Sequence, residues 1–349
     1  MNRSGAQRAR RRDRRVYLAS HPFLFALLSL TRGAPTRRLG RTTLVHGEQE
    51  YRQVLTTVPL DRRATGTTGA MAREAGAESL LFDQEGDDHR RARQTVADGL
   101  GASGVERLRP VWTRYLDEAV GVLAGGHRVD VVELAAAMSG ATAAALLSID
   151  ADPLELARTA RDAAAEAARQ HTPGWRRRTE NRAASLLLRQ TGTGLGAMLA
   201  VAAVNTTVAG IPRAVAWCAD AALWTDVSPE LCAELLRVVA PTPLLPRVAA
   251  ADATLGSRAV RAGDHLVLVT RHAVAADRRD PDVAHPAAPQ VASLVFGAGA
   301  HTCPGARLAR MQLLDTLRAL APLRPMVVTA RADRRAALPS WRRLEIAAQ

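Results

Sequence analysis

Aromatic residues make up only 3% of this 349-residue sequence, and cysteine occurs three times. Scarce aromatics do not exclude a sizeable core, because 47% of the residues are hydrophobic; Leu, Val and Ala must fill it. Cys218, Cys232 and Cys303 are odd in number and widely spaced. That excludes a disulfide framework, and no CxxC zinc spacing occurs, so a reducing cytoplasm is the expected compartment. Long apolar runs are missing from the first part of the chain. The stretch from Phe23 to Leu30 is too short to span a bilayer. It follows an Arg-rich segment, but Thr31, Arg32 and Gly33 offer no small-residue cleavage site, so it reads as a short helix and no membrane anchor is expected. No repeat and no Gly/Ser linker divides the chain, whose length allows one large domain or two ordinary ones.

What is abundant is positive charge, a formal net +13. Arg3, Arg8, Arg10, Arg11, Arg12, Arg14 and Arg15, set against Asp13, supply about half of it. Such a cluster could bind nucleic acid or an anionic membrane. A terminal basic run is more often solvated, so residues 1–15 are expected to form a disordered tail ahead of a single domain over residues 16–349, with no nucleic-acid partner. The remaining arginines are spread out, a pattern that suits docking of an acidic protein.

Helical periodicity dominates. Apolar residues at 105, 108, 112, 116, 120 and 123 form a stripe from Val105 to Leu123. Val131 to Ile149, Glu155 to Arg169 and Ala183 to Gln190 are further helices, with a break at Thr172-Pro173-Gly174. The mostly apolar segment from Gly194 to Leu223 should be a buried helix, kinked at Pro212. Ser228-Pro229 reads as an N-cap followed by proline at the first position of a helix reaching Val239. Short strands are expected at Arg41 to Val45, Arg258 to Arg261, His265 to Thr270 and Met326 to Thr329, with a turn at Ala262-Gly263-Asp264. The fold class is mainly α with a minor β part.

The most informative stretch runs Phe296-Gly297-Ala298-Gly299-Ala300-His301-Thr302-Cys303-Pro304-Gly305, followed by an amphipathic helix. Its glycines allow positive φ and close approach to a flat ligand. Cys303 sits at a helix N-terminus, which favours thiolate over thiol. A lone Cys beside a Gly-rich turn is usually a small core residue, but here every fixed site of the pattern FGxGxHxCxG is matched. The chain therefore resembles a cytochrome P450, a bacterial soluble haem-thiolate protein.

The resemblance implies haem b with Cys303 as axial ligand, in a loop carrying Phe296, Gly297 and Gly305. It implies that Glu234 and Arg237, in Glu234-Leu235-Leu236-Arg237, form a structural ion pair on one helix face. It assigns haem propionates to His89 and Arg93 of His89-Arg90-Arg91-Ala92-Arg93, to Arg247 and to His301. It matches Ala202-Ala203-Val204-Asn205-Thr206-Thr207 to the oxygen-binding motif, with Thr206 as hydrogen-bond donor. The plainer reading of Thr206 is a bond back to a carbonyl one turn earlier.

The chain also departs from the family. Asn205 replaces an acid and cannot ionise, although it can order water. Ala203 replaces a glycine. After Asp280 the family's Phe and Arg, which complete the Glu–Arg network, are missing. The sequence is short in the lid region between His89 and Asn205 and again before Glu234, so the pocket is open or is completed by a partner protein. The resemblance implies a monooxygenase or oxidase acting on a small molecule, in bacterial secondary metabolism, with a ferredoxin or similar electron donor. The departures leave two alternatives: peroxide-driven, rearrangement or coupling chemistry, and a degenerate partner protein of another enzyme.

Overall fold

The computed structural model describes residues 3–67, 70, 81–170 and 181–349. The break expected at Thr172-Pro173-Gly174 lies outside them. The elements are α1 (Arg3–Ser20), α2 (Pro22–Thr31), β1 (Thr36–Leu39), β2 (Thr42–Val45), α3 (Glu48–Thr56), α4 (Gly86–Leu100), α5 (Ala102–Ala124), β3 (Val129–Asp130), α6 (Val131–Leu147), α7 (Pro153–Gln170), α8 (Arg182–Thr191) and α9 (Gly194–Ala221). They continue with α10 (Pro229–Val239), β4 (Leu244–Val248), β5 (Ala253–Leu255), β6 (Arg258–Val260), β7 (His265–Val269), α11 (Ala306–Leu320), β8 (Met326–Asp333) and β9 (Ser340–Ala347). The architecture is mainly helical with a minor sheet part, as the apolar spacing predicts.

Helix α9 is the axis of the larger core. Val204, Val208, Ile211, Val215 and Trp217 on it are buried, and α5, α6, α7 and α10 contribute Trp112, Met138, Leu156 and Leu235 to the same cluster. Among the described residues α9 is the one helix long and apolar enough to cross a membrane, and half of its most apolar window is buried in the protein. It runs on through Pro212 as one helix. Three termini show how sequence sets these boundaries. The Asp130 carboxylate accepts from the Val132 amide at the start of α6. Thr193 caps α9 through the Gly196 amide. The Ser228 hydroxyl accepts from Leu231 N–H as the expected cap of α10. Helix α6 stops at Ser148, which adopts the left-handed conformation (φ 53°) and ends the expected Val131–Ile149 helix two residues early.

A smaller core lies under the sheet β1-β2-β7-β4. β2 and β7 pair in parallel, with Leu44 opposite Val267, and β4 pairs antiparallel to β7, placing Arg247 opposite Leu266. β7 ends one residue before Thr270, which opens a helical turn. The expected strand at Met326 extends to Asp333 because β9 pairs along its length.

The expected disordered tail is corrected by α1. Its buried face carries Ala6, Ala9, Asp13, Val16 and Tyr17, at helical spacing, against α9. Arg213 of α9 donates Nε–H to Asp13 (2.7 Å) and Nη2–H to the Tyr17 hydroxyl (2.5 Å). Arg271 reaches the other Asp13 oxygen at 3.1 Å, and both guanidiniums lie 4.4 Å from the centre of the Tyr17 ring. Burial works against the charge on Arg213, but Asp13 and Tyr17 outweigh it and hold its pKa above the ordinary value. Arg12 pairs with Asp220 (2.6 Å) and Arg10 with Asp280 (2.7 Å). The basic run is therefore half spent on acids far away in sequence. Asp13→Asn keeps the shape but leaves two buried guanidiniums short of an anion, and is expected to cost about 2 kcal/mol in urea unfolding.

Candidate functional site

The segment after the one-turn helix Pro289–Ala292 is held by its own main chain. Cys303 N–H donates to the Phe296 carbonyl (2.8 Å), and Thr302 N–H and Oγ1 both donate to Gly299 O (3.1 and 2.8 Å). This closed loop needs Gly297 at φ 80°, ψ −167°, a region open essentially to glycine alone. The loop places Cys303 two residues before Gly305, the N-cap of α11. Arg310, on the first turns of α11, lies 4.5 Å over the Phe296 ring.

Cys303 is solvent-exposed at the rim of this loop, whereas Cys218 and Cys232 are buried. Protein atoms still crowd around Cys303, and that desolvation pushes its thiol up; the Gly305 amide, Arg93 and Arg310 pull it back down. A bound cation would add to the downward pull.

Around the loop the expected basic residues come together. Arg93, on α4, donates to the Thr302 carbonyl at 2.6 Å. His89, one turn earlier, stacks on His301 with ring centres 3.8 Å apart. Arg247 sits on β4, where burial and the nearby Arg62 hold its pKa down at about 10. His301 is pushed down to about 3 by burial and by the charges of Arg62, His89, Arg247 and Arg93. Arg62 is thus a member of the same cluster that the sequence did not mark; it follows Asp61 in an irregular segment and belongs to no recognisable spacing. Its Nε–H donates to Glu85, at 3.1 Å, the carboxylate that acts on this cluster. The buried Nε2 of His89 has no hydrogen-bond partner among the described residues. Converging cations with one carboxylate between them, and an orphaned imidazole nitrogen, fit a flat ligand bearing two carboxylates beside Cys303. The haem expected from the sequence has that chemistry.

Asn205 and Thr206 lie on α9. Thr206 Oγ1 donates back to Ala202 O at 2.8 Å. Asn205 Nδ2 donates to Val201 O (2.9 Å) and across to Ala160 O of α7 (3.3 Å). Both side-chain donors are thus engaged by main-chain carbonyls.

Behind the loop, Glu234 and Arg237 form a fully buried bidentate pair, 2.9 and 2.7 Å. Where a third charged partner is missing from the sequence, the main chain of residues 274–287 substitutes. Arg237 donates to the carbonyls of Val274, Arg279 and Asp280, while the amides of Ala287 (2.9 Å) and Asp282 (3.2 Å) donate to Glu234. Burial alone would raise Glu234, but Arg237 and these amides hold its carboxyl below the usual range. Arg10 of α1 fixes the Asp280 side chain in the same segment.

The sequence model of the family described as Cytochrome P450 matches residues 229–320. The chain is 38% identical over 90 residues to the Beta-dihydromenaquinone-9 omega-hydroxylase of Mycobacterium tuberculosis, a stretch covering 25% of this chain and 18% of that protein. It is 38% identical over 102 residues to the Nocardicin C N-oxygenase of Nocardia uniformis, covering 27% and 25% of the two chains. The matched stretch thus spans a quarter or less of each curated relative. In three dimensions the chain is similar to CYP109E1 from Bacillus megaterium in complex with testosterone, with a TM-score of 0.74 over 96% of this chain and 99% of that one. At 17% identity that likeness shows the shared fold.

Proposed function

We propose that the chain is a haem-thiolate monooxygenase of a small molecule and a member of the cytochrome P450 family, whose sequence model matches residues 229–320. The observation that supports this most is the joining of Cys303, on a loop closed by the Phe296 carbonyl, to the cation cluster of Arg62, His89, Arg93, Arg247 and His301. In this reading Cys303 holds the iron, and His89, Arg93, Arg247 and His301 hold the two propionates. Bound haem supplies the activation of dioxygen: one oxygen atom enters a substrate C–H bond and the other leaves as water, at the cost of two electrons and two protons.

The chain's own residues then have separate tasks. The N-terminus of α11 and the Gly305 amide stabilise negative charge on the Cys303 sulfur. In this reading the Thr206 hydroxyl would leave Ala202 O to deliver a proton, and Asn205 would position a water but not supply the proton itself. The electron donor is a ferredoxin or similar protein, for which the spread of arginines is a suitable surface, and the setting is bacterial secondary metabolism in the cytoplasm. The test is the difference spectrum of the haem-loaded protein, reduced and exposed to carbon monoxide. A red-shifted Soret band supports the assignment; haem uptake without that band overturns it.

A second reading is favoured by Asn205. With no carboxylate in the distal motif and both donors engaged by carbonyls, peroxide, which carries its own protons and electrons, is an alternative oxidant. Asn205→Asp is expected to raise reductant-driven turnover relative to peroxide-driven turnover by about tenfold or more, since one positioned acid typically contributes that much. Equal ratios in the two proteins would count against a proton-delivery role for this position.

A further inference from the structure

Helix α2 is ten residues long, and it presents a row of apolar side chains to solvent. Phe23 is 90% exposed, Leu30 84% and Leu27 41%. With exposed Ala26 they occupy positions i, i+3, i+4 and i+7, a single face. The opposite face, Leu24, Phe25 and Leu28, is what holds α2 to Leu44 and Val269 of the sheet. The Phe25 ring also meets Tyr17 of α1 edge-on at 5.0 Å, so the apolar row is fixed relative to α1.

The exposed face of α1 is basic. Arg11, Arg14, Arg15 and Leu18 repeat at i, i+3, i+4 and i+7 and are all exposed, opposite the buried face that carries Asp13 and Tyr17. This stripe ends in Leu18, immediately before α2. Residues 1–47 contain eleven arginines and one carboxylate, Asp13, which is buried between Arg213 and Arg271. Among the described residues four acids from elsewhere in the chain meet this region, two of them, Asp220 and Asp280, on Arg12 and Arg10 of α1. Asp277 and Asp264 are 8% and 3% exposed and are taken up by Arg32 and Arg38. Arg11, Arg14 and Arg15 on α1 and Arg37 on β1 remain exposed, and α1 is joined to the helix that carries the apolar row through the Tyr17–Phe25 ring contact.

From this juxtaposition we propose that α1 and α2 form a peripheral docking surface for an anionic lipid bilayer, with Phe23, Leu27 and Leu30 entering the headgroup boundary and the α1 arginines facing lipid phosphates. At 1.5 Å per residue α2 is about 15 Å long, half of the roughly 30 Å hydrocarbon layer, so it lies along the surface instead of crossing it. Nucleic acid would use the arginines but gains nothing from a solvent-facing Phe and two Leu; lipid uses both. A second copy of the chain would cover the apolar row but would bring the same unneutralised arginines against it.

The experiment is co-sedimentation of the haem-loaded full chain with vesicles of phosphatidylcholine alone and of phosphatidylcholine with phosphatidylglycerol. Binding is expected to the anionic vesicles, at least about tenfold tighter than to the neutral ones. Phe23→Ser/Leu30→Ser and, separately, Arg14→Glu/Arg15→Glu are each expected to lower binding about tenfold or more. All four side chains are exposed and none belongs to the Cys303 loop or the cation cluster, so the difference spectrum and far-ultraviolet circular dichroism serve as controls for an unchanged fold. Binding lost in the arginine variant but unaltered in the Phe23/Leu30 variant would be adsorption by charge alone and would overturn the proposal. So would the absence of vesicle binding, or a dimer in size-exclusion chromatography that the Phe23/Leu30 variant dissociates while vesicles are ignored.

Discussion

Cys303→Ala is expected to remove the red-shifted Soret band of the reduced, carbon-monoxide-treated protein completely, while the fold survives. The loop does not depend on the sulfur: Cys303 is tied by its main-chain amide to Phe296 O, and the neighbouring turn is closed by Thr302 on Gly299. Alanine retains those bonds. Because the side chain is exposed, its truncation should alter the stability of the haem-free protein by about 0.5 kcal/mol or less, whereas the thiolate ligand has no substitute. The other two cysteines cannot take over. Cys232 is buried on α10 with its thiol pushed up to about 12 by desolvation, and Cys218 is buried in α9 with its thiol also held well above the usual range by desolvation and by Cys232. A band that persisted in the variant would therefore contradict the assignment of the ligand at its root. Loss of the band with haem still bound would show the cation cluster holding the porphyrin without the thiolate.

The parts of this protein readable from sequence are those whose determinants are local. The loop from Phe296 to Gly305 carries its constraint within ten residues, since Gly297 must take a conformation closed to other residues and Cys303 must follow at fixed distance. Glu234 and Arg237 are one turn apart on the same helix, and their pairing follows from helical geometry. The periodic apolar stripes of α5, α6 and α9 give the helices in the same way. Helix α1 was not readable, because what orders it lies some 200 residues or more away: Arg213 for Asp13, Asp220 for Arg12 and Asp280 for Arg10. Arginines whose partners are that distant look like a solvated run. Arg62 joins the cation cluster from an irregular segment with no spacing to announce it. The strand β9, with adjacent Arg342 and Arg343 exposed and Leu344 and Ile346 buried, shows alternation only in its second half and depends on pairing with β8. The partners that complete the Glu234–Arg237 pair are amides and carbonyls, groups that every residue carries, so no side-chain pattern reports them.

That pair carries the largest expected effect on stability. Arg237→Ala leaves the Glu234 carboxylate 1% exposed and without its guanidinium, and leaves the carbonyls of Val274, Arg279 and Asp280 without their donor. The expected cost in urea unfolding of the haem-free protein at neutral pH is about 3–5 kcal/mol, a large share of the stability of a typical domain. The pH dependence distinguishes this cause from a simple loss of packing. In the unaltered protein Glu234 is held below the usual carboxylate range when folded, so it contributes stability above about pH 4.5 that is lost on acidification. Without Arg237, desolvation becomes the dominant influence and raises the folded-state pKa above the unfolded one. The folded variant then binds more protons than the unfolded chain, and its stability falls as pH rises. The deficit relative to the unaltered protein should therefore be larger at pH 7 than at pH 4. Adding Glu234→Gln to the Arg237→Ala variant removes the buried charge and should recover part of the loss at pH 7 while changing little at pH 4. A deficit independent of pH, with no recovery on adding Glu234→Gln, would mean that the pair stabilises the protein by filling space and not by its charge. If folding stability recovers in the double variant but haem content does not, the Glu234–Arg237 network acts on the Cys303 loop by holding the segment from Val274 to Ala287 in place.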